Sequence, residues 1–279
     1  MRGGPGRVDE ERRVILVHRR RVQRSLRRDG FAVVDLLGPA QVEACQRAVD
    51  DLAVEPDHGF FVTVYDVWGA VARDFDQRLR QVVAPGVARV LPGFEPFLVA
   101  ATTKGARSPQ PVKFHQDWTY TDERTTPTVF AWCPLVDVDE ARGCLHVVPG
   151  SHRWSDGLRP SRTLEPTEHL QTEFAEHGQA VPLRAGQAVL FYPSTVHGSG
   201  PNPSGQHRPA VTIASAPTGS TFVHFHLADD GTVTGYDVDD SFFTTNPYGT
   251  APAGRPRVEP WAPVVAEADF VAKLGPPPR

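Results

Sequence analysis

The sequence predicts a mainly β fold, a sandwich or jelly roll with helices packed at its flank. From Phe97 onward, short runs rich in branched and aromatic residues recur between Gly, Pro and Asp. Eight such runs are typical of the strands of a sandwich or jelly roll. They occupy residues 97–103, 111–115, 127–136, 144–148, 180–183, 187–192, 209–215 and 221–227. The first third of the chain has apolar residues at helical spacing instead, which predicts the flanking helices.

Three helices and one strand are predicted before Phe97. Residues 10–28 carry apolar side chains on one helical face and arginines on the other. Gly30 ends this helix, and the branched residues of 31–37 indicate a short strand. A second helix begins at Pro39, since proline is favoured in a first helical turn, and runs to residue 52. A third covers residues 71–91.

The chain of 279 residues is predicted to form one domain, because jelly rolls reach roughly 200–250 residues as a single unit. Residues 1–96 form a helix-rich part packed on the core, and residues 97–227 form the jelly-roll core. A polar stretch at 151–178 interrupts the core as an insertion. Residues 228–279 form a C-terminal extension with a proline-rich end.

Composition and charge limit the possible partners. The formal net charge is −4, with residues 1–28 carrying +7 and the remainder −11. Aromatic residues do not interleave with the arginines of the basic segment, as a nucleic-acid groove requires. We therefore expect no nucleic-acid partner. No run approaches the roughly 18 apolar residues of a membrane span, so no membrane partner is expected either.

The cysteines and the N-terminal residues bear on the compartment. Cys45, Cys133 and Cys144 are widely spaced and form neither a disulfide framework nor a CxxC motif. The N-terminal residues lack the apolar segment of a secretory signal. We therefore expect a cytoplasmic protein with three reduced thiols. The sequence carries no signal for an oligomeric state.

The sharpest local feature is the pair His115 and Asp117. Residues i and i+2 of a strand project to the same face, so an imidazole and a carboxylate can address one point. The best candidate for a third ligand is His197, which follows an apolar strand in a glycine-flanked turn. Two histidines and one carboxylate form the facial triad that holds non-haem Fe(II) in oxygenases.

Arg208 adds a second feature downstream of this triad. It opens an apolar strand, where its charge points either to solvent or into a cavity mouth. A guanidinium binds a carboxylate bidentately, so Arg208 could hold the far end of a dicarboxylate cosubstrate that chelates iron at its other end. Ser199, two residues after His197, could donate a second hydrogen bond to that carboxylate.

With these residues in place, the chain resembles the phytanoyl-CoA dioxygenase family of Fe(II)- and 2-oxoglutarate-dependent oxygenases. Four segments carry the resemblance: the strand at 29–37, the His115-Gln-Asp117 motif, the turn at 143–152 that ends in Pro-Gly-Ser-His, and residues 197–208. They fall between residue 29 and about residue 215. Trp132 matches the position of a tryptophan that the family places beside 2-oxoglutarate.

The resemblance implies a double-stranded β-helix, the cupin-like jelly roll, with N-terminal helices packed on one sheet. It implies Fe(II) bound by His115, Asp117 and His197, with 2-oxoglutarate held by Arg208 and Ser199 beside Trp132. With O2, such a site hydroxylates or otherwise oxidises an unactivated C–H bond of a small molecule. The retained Asp117 favours oxygen transfer, because iron halogenases of the wider superfamily have a small residue there.

Five further residues are candidate substrate contacts, each with a plainer alternative. Lys104 either contacts a substrate carboxylate or is a solvated loop residue. Aromatic residues at strand ends, such as Trp118 and Tyr120, more often pack against the protein than bind a substrate. A plain structural role is likewise the alternative for Gln110 and Arg153. These candidates are Lys104, Gln110, Trp118, Tyr120 and Arg153.

The sequence is compatible with two kinds of function. The first is a hydroxylase of bacterial secondary metabolism, since 26 Arg against 3 Lys is typical of a high-GC genome. The second is a redox-inert metal-binding jelly roll, or a cupin-like isomerase or hydrolase. Arg208 discriminates between them, because a redox-inert site has no use for a cosubstrate anchor.

Overall fold

The computed structural model describes residues 20–52, 59–161 and 168–274. Its strands are β1 (Phe31–Asp35), β2 (Phe60–Val62), β3 (Phe94–Lys104), β4 (Val112–His115), β5 (Val129–Pro134), β6 (Leu145–Val147), β7 (Gln179–Val181), β8 (Gln187–Phe191), β9 (His197–Ser199), β10 (Arg208–Pro217), β11 (Phe222–Leu227) and β12 (Val233–Val238). Its α-helices are α1 (Arg20–Asp29), α2 (Pro39–Asp51), α3 (Thr63–Asp66), α4 (Ala70–Val90), α5 (Gln171–His177), α6 (Phe242–Thr245) and α7 (Glu267–Val271).

Two antiparallel sheets make up the body of the fold. The larger has six strands in the order β1-β8-β5-β10-β3-β2, and the smaller has four in the order β4-β9-β6-β7. A separate hairpin pairs β11 with β12. Between β3 and β10 the chain crosses from one sheet to the other six times, with only β6 and β7 consecutive in the same sheet, as in a jelly roll.

The outer face of the six-stranded sheet is covered by α1, α2 and α4. Helix α4 buries a stripe at helical spacing that includes Phe75, Leu79 and Val83, and these side chains join one apolar cluster with Val211 and Ile213 of β10. Alternate residues of a strand point to opposite faces. Thr212 lies between Val211 and Ile213 on β10, so its side chain faces the other sheet.

The inner faces of the two sheets enclose a second cluster. Phe130 and Trp132 of β5 pack there with Leu145 and Val147 of β6. The cluster is rich in aromatic side chains, and the cavity described below opens inside it. The helix-covered face thus stabilises the sheet, and the inner face is left to form a site.

The predicted fold class is confirmed, and each of the eight runs overlaps a strand. The helices predicted at 39–52 and 71–91 also form, at Pro39–Asp51 and Ala70–Val90. Of the helix predicted over residues 10–28, residues 10–19 lie outside the described part of the chain. The same holds for residues 162–167 of the insertion and for the proline-rich end at 275–279.

Three strands were not predicted, and they change the roles of the flanking parts. β2 is three residues long and joins the edge of the large sheet through β3. β9 is equally short and contains a glycine, so its sequence resembles a turn. β12 lies within residues 228–279, where Phe270 is also fully buried against Phe174. The N-terminal and C-terminal parts therefore contribute strands and core residues as well as covering the two sheets.

Within the described residues, no helix combines the length and the apolar character needed to cross a bilayer.

Candidate active site

Strand pairing places the two predicted histidine ligands side by side. β4 and β9 are antiparallel, and His115 stands directly opposite His197 in their register. The ring centres of the two histidines are 4.3 Å apart. Gly198 permits this close approach, because a Cβ at that position would stand 2.8 Å from the Val112 carbonyl oxygen. No side chain could replace it without moving β4.

Asp117 completes a group of three possible metal ligands. It follows the end of β4, and its backbone N–H donates to the Pro193 carbonyl at 2.9 Å. Its Oδ1 lies 3.8 Å from His115 Nε2, and its Oδ2 lies 3.6 Å from His197 Nε2. One ligand atom from each residue lies within 4.8 Å of the other two. Among the described residues, these three are the one group of His, Cys, Asp or Glu side chains that is close enough together to hold a metal ion.

Backbone carbonyls orient both imidazoles. His115 Nδ1 is 2.8 Å from the Lys113 carbonyl, and His197 Nδ1 is 2.9 Å from the Thr195 carbonyl. A carbonyl oxygen only accepts, so each Nδ1 carries a proton and Nε2 is the nitrogen that each ring turns toward Asp117. Burial, together with the neighbouring His115, lowers the pKa of His197 to about 4. The His197 ring is therefore neutral at physiological pH, as a metal ligand must be.

Arg159, which sequence reasoning missed, holds the backbone of Asp117. Its Nε donates to the Asp117 carbonyl at 2.7 Å, and its Nη2 donates to Glu123 Oε1 at 2.5 Å. The side chain is 5% exposed. Asp117 Oδ2 is buried and has no hydrogen-bond partner in the described part of the chain. Buried acceptors are rarely left unsatisfied, so this orphaned oxygen is consistent with a cation between the three ligand residues.

Arg208 is buried at the first position of β10 and lines the same cavity. Its Nε and Nη1 have no hydrogen-bond partner among the described residues. Its guanidinium carbon lies 5.1 Å from the centre of the Trp132 ring. Burial lowers the pKa of Arg208 to about 10, so it stays charged at neutral pH. A buried cation with two unused donors favours an anionic ligand, and Ser199 lines the cavity with it.

The predicted ligand and cosubstrate residues share one cavity. It encloses about 910 Å³ of non-atom space, a volume that includes open solvent at its mouth. Its lining includes His115, Asp117 and His197 from the smaller sheet side and Arg208 and Trp132 from the larger sheet. Ser199 lies with them, and the other lining side chains are mostly apolar or aromatic.

Four of the five predicted substrate contacts fall into two groups. Trp118 and Tyr120 line the cavity. Gln110 and Arg153 are exposed and do not line it. Arg153 instead donates through Nη1 to the Arg27 carbonyl at 3.3 Å.

Lys104 occupies neither of its predicted environments. It is fully buried at the end of β3, opposite Arg208, rather than solvated in a loop. Its Nζ donates to the Ser199 carbonyl at 3.1 Å and also to the Gly200 carbonyl. Burial, with a smaller contribution from the Arg208 charge, lowers the pKa of Lys104 to about 7. Lys104 therefore supports the backbone that follows His197, and it does not line the cavity.

The functional residues missed from the sequence come from distant segments. Arg159 lies in the polar stretch interpreted as an insertion, and a buried Arg in Gly-Leu-Arg-Pro gives no recognisable signal. Tyr65 lines the cavity mouth from the short helix α3. Tyr248 stacks on Trp118 with ring centres 4.8 Å apart. An Asn-Pro-Tyr-Gly turn does not reveal such a contact in the sequence.

Comparison with known proteins identifies a family. The sequence profile of the family described as phytanoyl-CoA dioxygenase (PhyH) matches residues 26–210. The peroxisomal phytanoyl-CoA dioxygenase of Homo sapiens is 30% identical over 107 residues, 35% of this chain and 31% of that protein. A phytanoyl-CoA dioxygenase domain-containing protein 1 homolog of Dictyostelium discoideum is 28% identical over 147 residues, 49% of this chain and 47% of that protein. The chain thus spans about a third to a half of the length of these curated relatives.

Solved structures share the fold. The α-ketoglutarate-dependent carbocyclase SnoK from nogalamycin biosynthesis has a TM-score of 0.56 at 19% identity, covering 73% of this chain and 86% of that one. The epimerase SnoN from the same biosynthesis has a TM-score of 0.55 at 21% identity, covering 88% and 93%. HygX from Streptomyces hygroscopicus, with nickel, 2-oxoglutarate and hygromycin B bound, has a TM-score of 0.54 at 16% identity, covering 81% and 99%.

Proposed function

The chain belongs to the phytanoyl-CoA dioxygenase family, and on that premise we propose that it is an Fe(II)- and 2-oxoglutarate-dependent dioxygenase. The proposal rests on the placement of His115, Asp117 and His197 in a cavity that also holds Arg208, whose Nε and Nη1 have no hydrogen-bond partner among the described residues. A metal triad and a buried carboxylate anchor in one cavity meet the needs of a chelating dicarboxylate cosubstrate.

His115, Asp117 and His197 would hold the iron. Two neutral imidazole nitrogens and a carboxylate oxygen are the facial ligand set that ferrous iron accepts, and the set leaves positions open for cosubstrate and O2. When bound, iron together with 2-oxoglutarate and O2 supplies an oxidant strong enough to attack an unactivated C–H bond. Arg159 keeps the Asp117 backbone in place while the carboxylate binds.

Arg208 would bind the distal carboxylate of 2-oxoglutarate. Its Nε and Nη1 have no partner among the described residues, so the guanidinium has donors free for a carboxylate in a buried environment, where a charge-assisted hydrogen bond is strong. Ser199 would donate a further hydrogen bond, and the Trp132 ring would limit the position of the guanidinium. The apolar walls of the cavity exclude water around the bound cosubstrate.

The reaction we assign is hydroxylation of an unactivated C–H bond in a small metabolite of bacterial secondary metabolism. The retained carboxylate of Asp117 supports oxygen transfer. The solved relatives from nogalamycin biosynthesis, and HygX with hygromycin B bound, support a natural product as substrate. The carbocyclase and the epimerase among them make ring closure and epimerisation the reactions to test beside hydroxylation.

The test is turnover of 2-oxoglutarate by the Fe(II)-loaded protein in air. We expect succinate to form slowly without a substrate, and no succinate to form with His197→Ala. Trp68→Leu, an exposed substitution that does not line the cavity, serves as the matched control and should behave as wild type. If the wild-type protein binds iron but leaves 2-oxoglutarate unconsumed, the redox-inert metal-binding jelly roll is the better account.

A further inference from the structure

We propose that the substrate is an uncharged molecule with a flat ring system, held by the rings of Tyr65, Trp118 and Tyr248 at the mouth of the cavity. This inference rests on the proposed function, since it names the substrate class for the same site. It depends on two observations: the charge of the lining, and the way three segments bring these rings together.

The lining formed by the described residues has no charge left for a substrate. His115, Asp117 and His197 are committed to the metal, and Arg208 to the cosubstrate. Every other side chain that lines the cavity within the described residues is apolar, aromatic or hydroxyl-bearing. Transferring a charged group into such surroundings without a partner is costly. The part of the substrate that enters the cavity is therefore neutral.

Three aromatic rings from separate parts of the chain meet at the mouth. Tyr65 comes from α3, Trp118 follows the metal ligand Asp117, and Tyr248 belongs to the C-terminal part. The Tyr65 and Tyr248 ring centres are 4.7 Å apart, and those of Trp118 and Tyr248 are 4.8 Å apart with the planes at 21°. Tyr65 and Trp118 line the cavity. The three rings form one aromatic wall.

The exposure of this wall indicates a ligand surface. Tyr65 is 46% exposed and Tyr248 is 40% exposed, although their rings are in contact. Clustered exposed aromatic residues beside a cavity mark binding sites more often than isolated ones do. A flat ring stacks on such a wall at little entropic cost, because the aromatic side chains have few rotatable bonds and already contact one another.

The position of Trp118 connects the wall to the chemistry. It is the residue after Asp117, and Tyr120 lies behind it with ring centres 5.9 Å apart. Tyr120 and Tyr248 both stack on Trp118. A substrate ring therefore stacks on the exposed rings of Tyr65 and Tyr248 and meets Trp118 at its edge, beside the metal ligand Asp117. Stacking therefore positions a C–H bond of the substrate near the reacting centre as well as binding it.

The described lining offers no basic side chain at the mouth for the phosphates of an acyl-coenzyme A thioester. These phosphates need Arg or Lys side chains, which bind phosphate by charge-assisted hydrogen bonds. Arg208 is the cation among the described lining residues, and it lies inside the cavity. Lys104 donates to backbone carbonyls instead. The chemistry of the mouth therefore selects a free, neutral ring compound over a coenzyme A conjugate.

The test is anaerobic calorimetric titration of the Fe(II)- and 2-oxoglutarate-loaded protein with four probes. Naphthalene-2-carboxamide and flavone are neutral and flat, naphthalene-2-carboxylate is the charged counterpart of the first, and palmitoyl-coenzyme A is the conjugate. We expect both neutral probes to bind and the carboxamide to bind at least about tenfold more tightly than the carboxylate. Trp118→Leu and Tyr248→Leu should weaken binding of the neutral probes about tenfold, as loss of a stacking platform does. Trp68→Leu should leave it unchanged.

The proposal is overturned if neither neutral probe binds, if the carboxylate or palmitoyl-coenzyme A binds as tightly as the carboxamide, or if both Leu variants keep wild-type affinity. Repeating the titration on metal-free protein separates this result from the proposed function, because stacking on the wall does not need iron. Probe binding without 2-oxoglutarate turnover would contradict the dioxygenase assignment alone. Turnover with the wrong probe preference would contradict the substrate class alone.

Discussion

The guanidinium of Arg208 lies over the Trp132 ring, with its central carbon 5.1 Å from the ring centre. The two residues are on neighbouring strands of the larger sheet, and both are buried. The contact fixes a side chain whose Nε and Nη1 have no other partner in the described part of the chain, as a built anion site would have. A loosely placed arginine could not discriminate one dicarboxylate from another.

Arg208→Lys should raise the 2-oxoglutarate concentration required for half-maximal turnover by about 10- to 100-fold, since an ammonium replaces a bidentate fork. The iron affinity should stay at the wild-type value because the triad is untouched. Steady-state succinate formation measures the first quantity, and competition with a metal indicator measures the second. An unchanged 2-oxoglutarate requirement would place the anchor on another residue.

His115→Ala and Asp117→Ala should each remove iron from the purified protein and abolish turnover, because the facial triad then has only two ligands. The melting temperature should stay within a few degrees of wild type, since these side chains line a cavity rather than fill the core. Iron content after desalting and thermal unfolding measure the two effects. Full activity in either variant would contradict the assignment of the triad.

Arg159→Lys should weaken iron binding by about tenfold or more, as loss of a residue that orients a metal ligand does. The lysine keeps the charge beside Glu123 but loses the fork that reaches the Asp117 carbonyl. Arg124→Lys, on an exposed arginine of the same region, is the matched control. Equal iron affinity in both variants would show that Arg159 only stabilises the fold.

Stability should fall as the pH is lowered below about 6.5, because buried histidines are neutral in the folded state. Burial, with the neighbouring His226, lowers the pKa of His224 to about 4. The unfolded chain, with a histidine pKa near 6.5, binds the proton first, so acid favours unfolding between these two values. His224→Gln should reduce the loss of unfolding free energy between pH 7 and pH 5 by about 2 kcal/mol. Denaturant unfolding at the two pH values measures it, and an identical loss in both proteins would contradict this pKa.

Much of the fold could be predicted because local periodicity reflects burial. β10 alternates residues between the helix-covered face and the cavity, and α4 repeats its apolar stripe at helical spacing. The short strands could not be predicted in this way, because their sequences lack such periodicity. β9 is a three-residue strand containing Gly198, so no run of apolar residues marks it. Its existence depends on pairing with β4 and β6, which is a tertiary effect.

The parts of the candidate site that could be predicted are those in which the residue type itself indicates the chemistry. His115, Asp117 and His197 stand out because few other roles explain that combination. Lys104 did not stand out as buried, because its partners are carbonyls that any residue provides. The aromatic wall was invisible for another reason: Tyr65 and Tyr248 are far apart in sequence, and only the folded chain brings their rings together.

We expect the triad and Arg208 together to bind iron and 2-oxoglutarate. The most direct measurement is the visible absorption spectrum of the metal-free protein after anaerobic addition of Fe(II) and then 2-oxoglutarate. We predict a charge-transfer band that appears only when both are present, is absent in His197→Ala, and needs far more 2-oxoglutarate in Arg208→Lys. Tightly bound iron that gives no band with 2-oxoglutarate would contradict the account and leave the resemblance as one of fold alone.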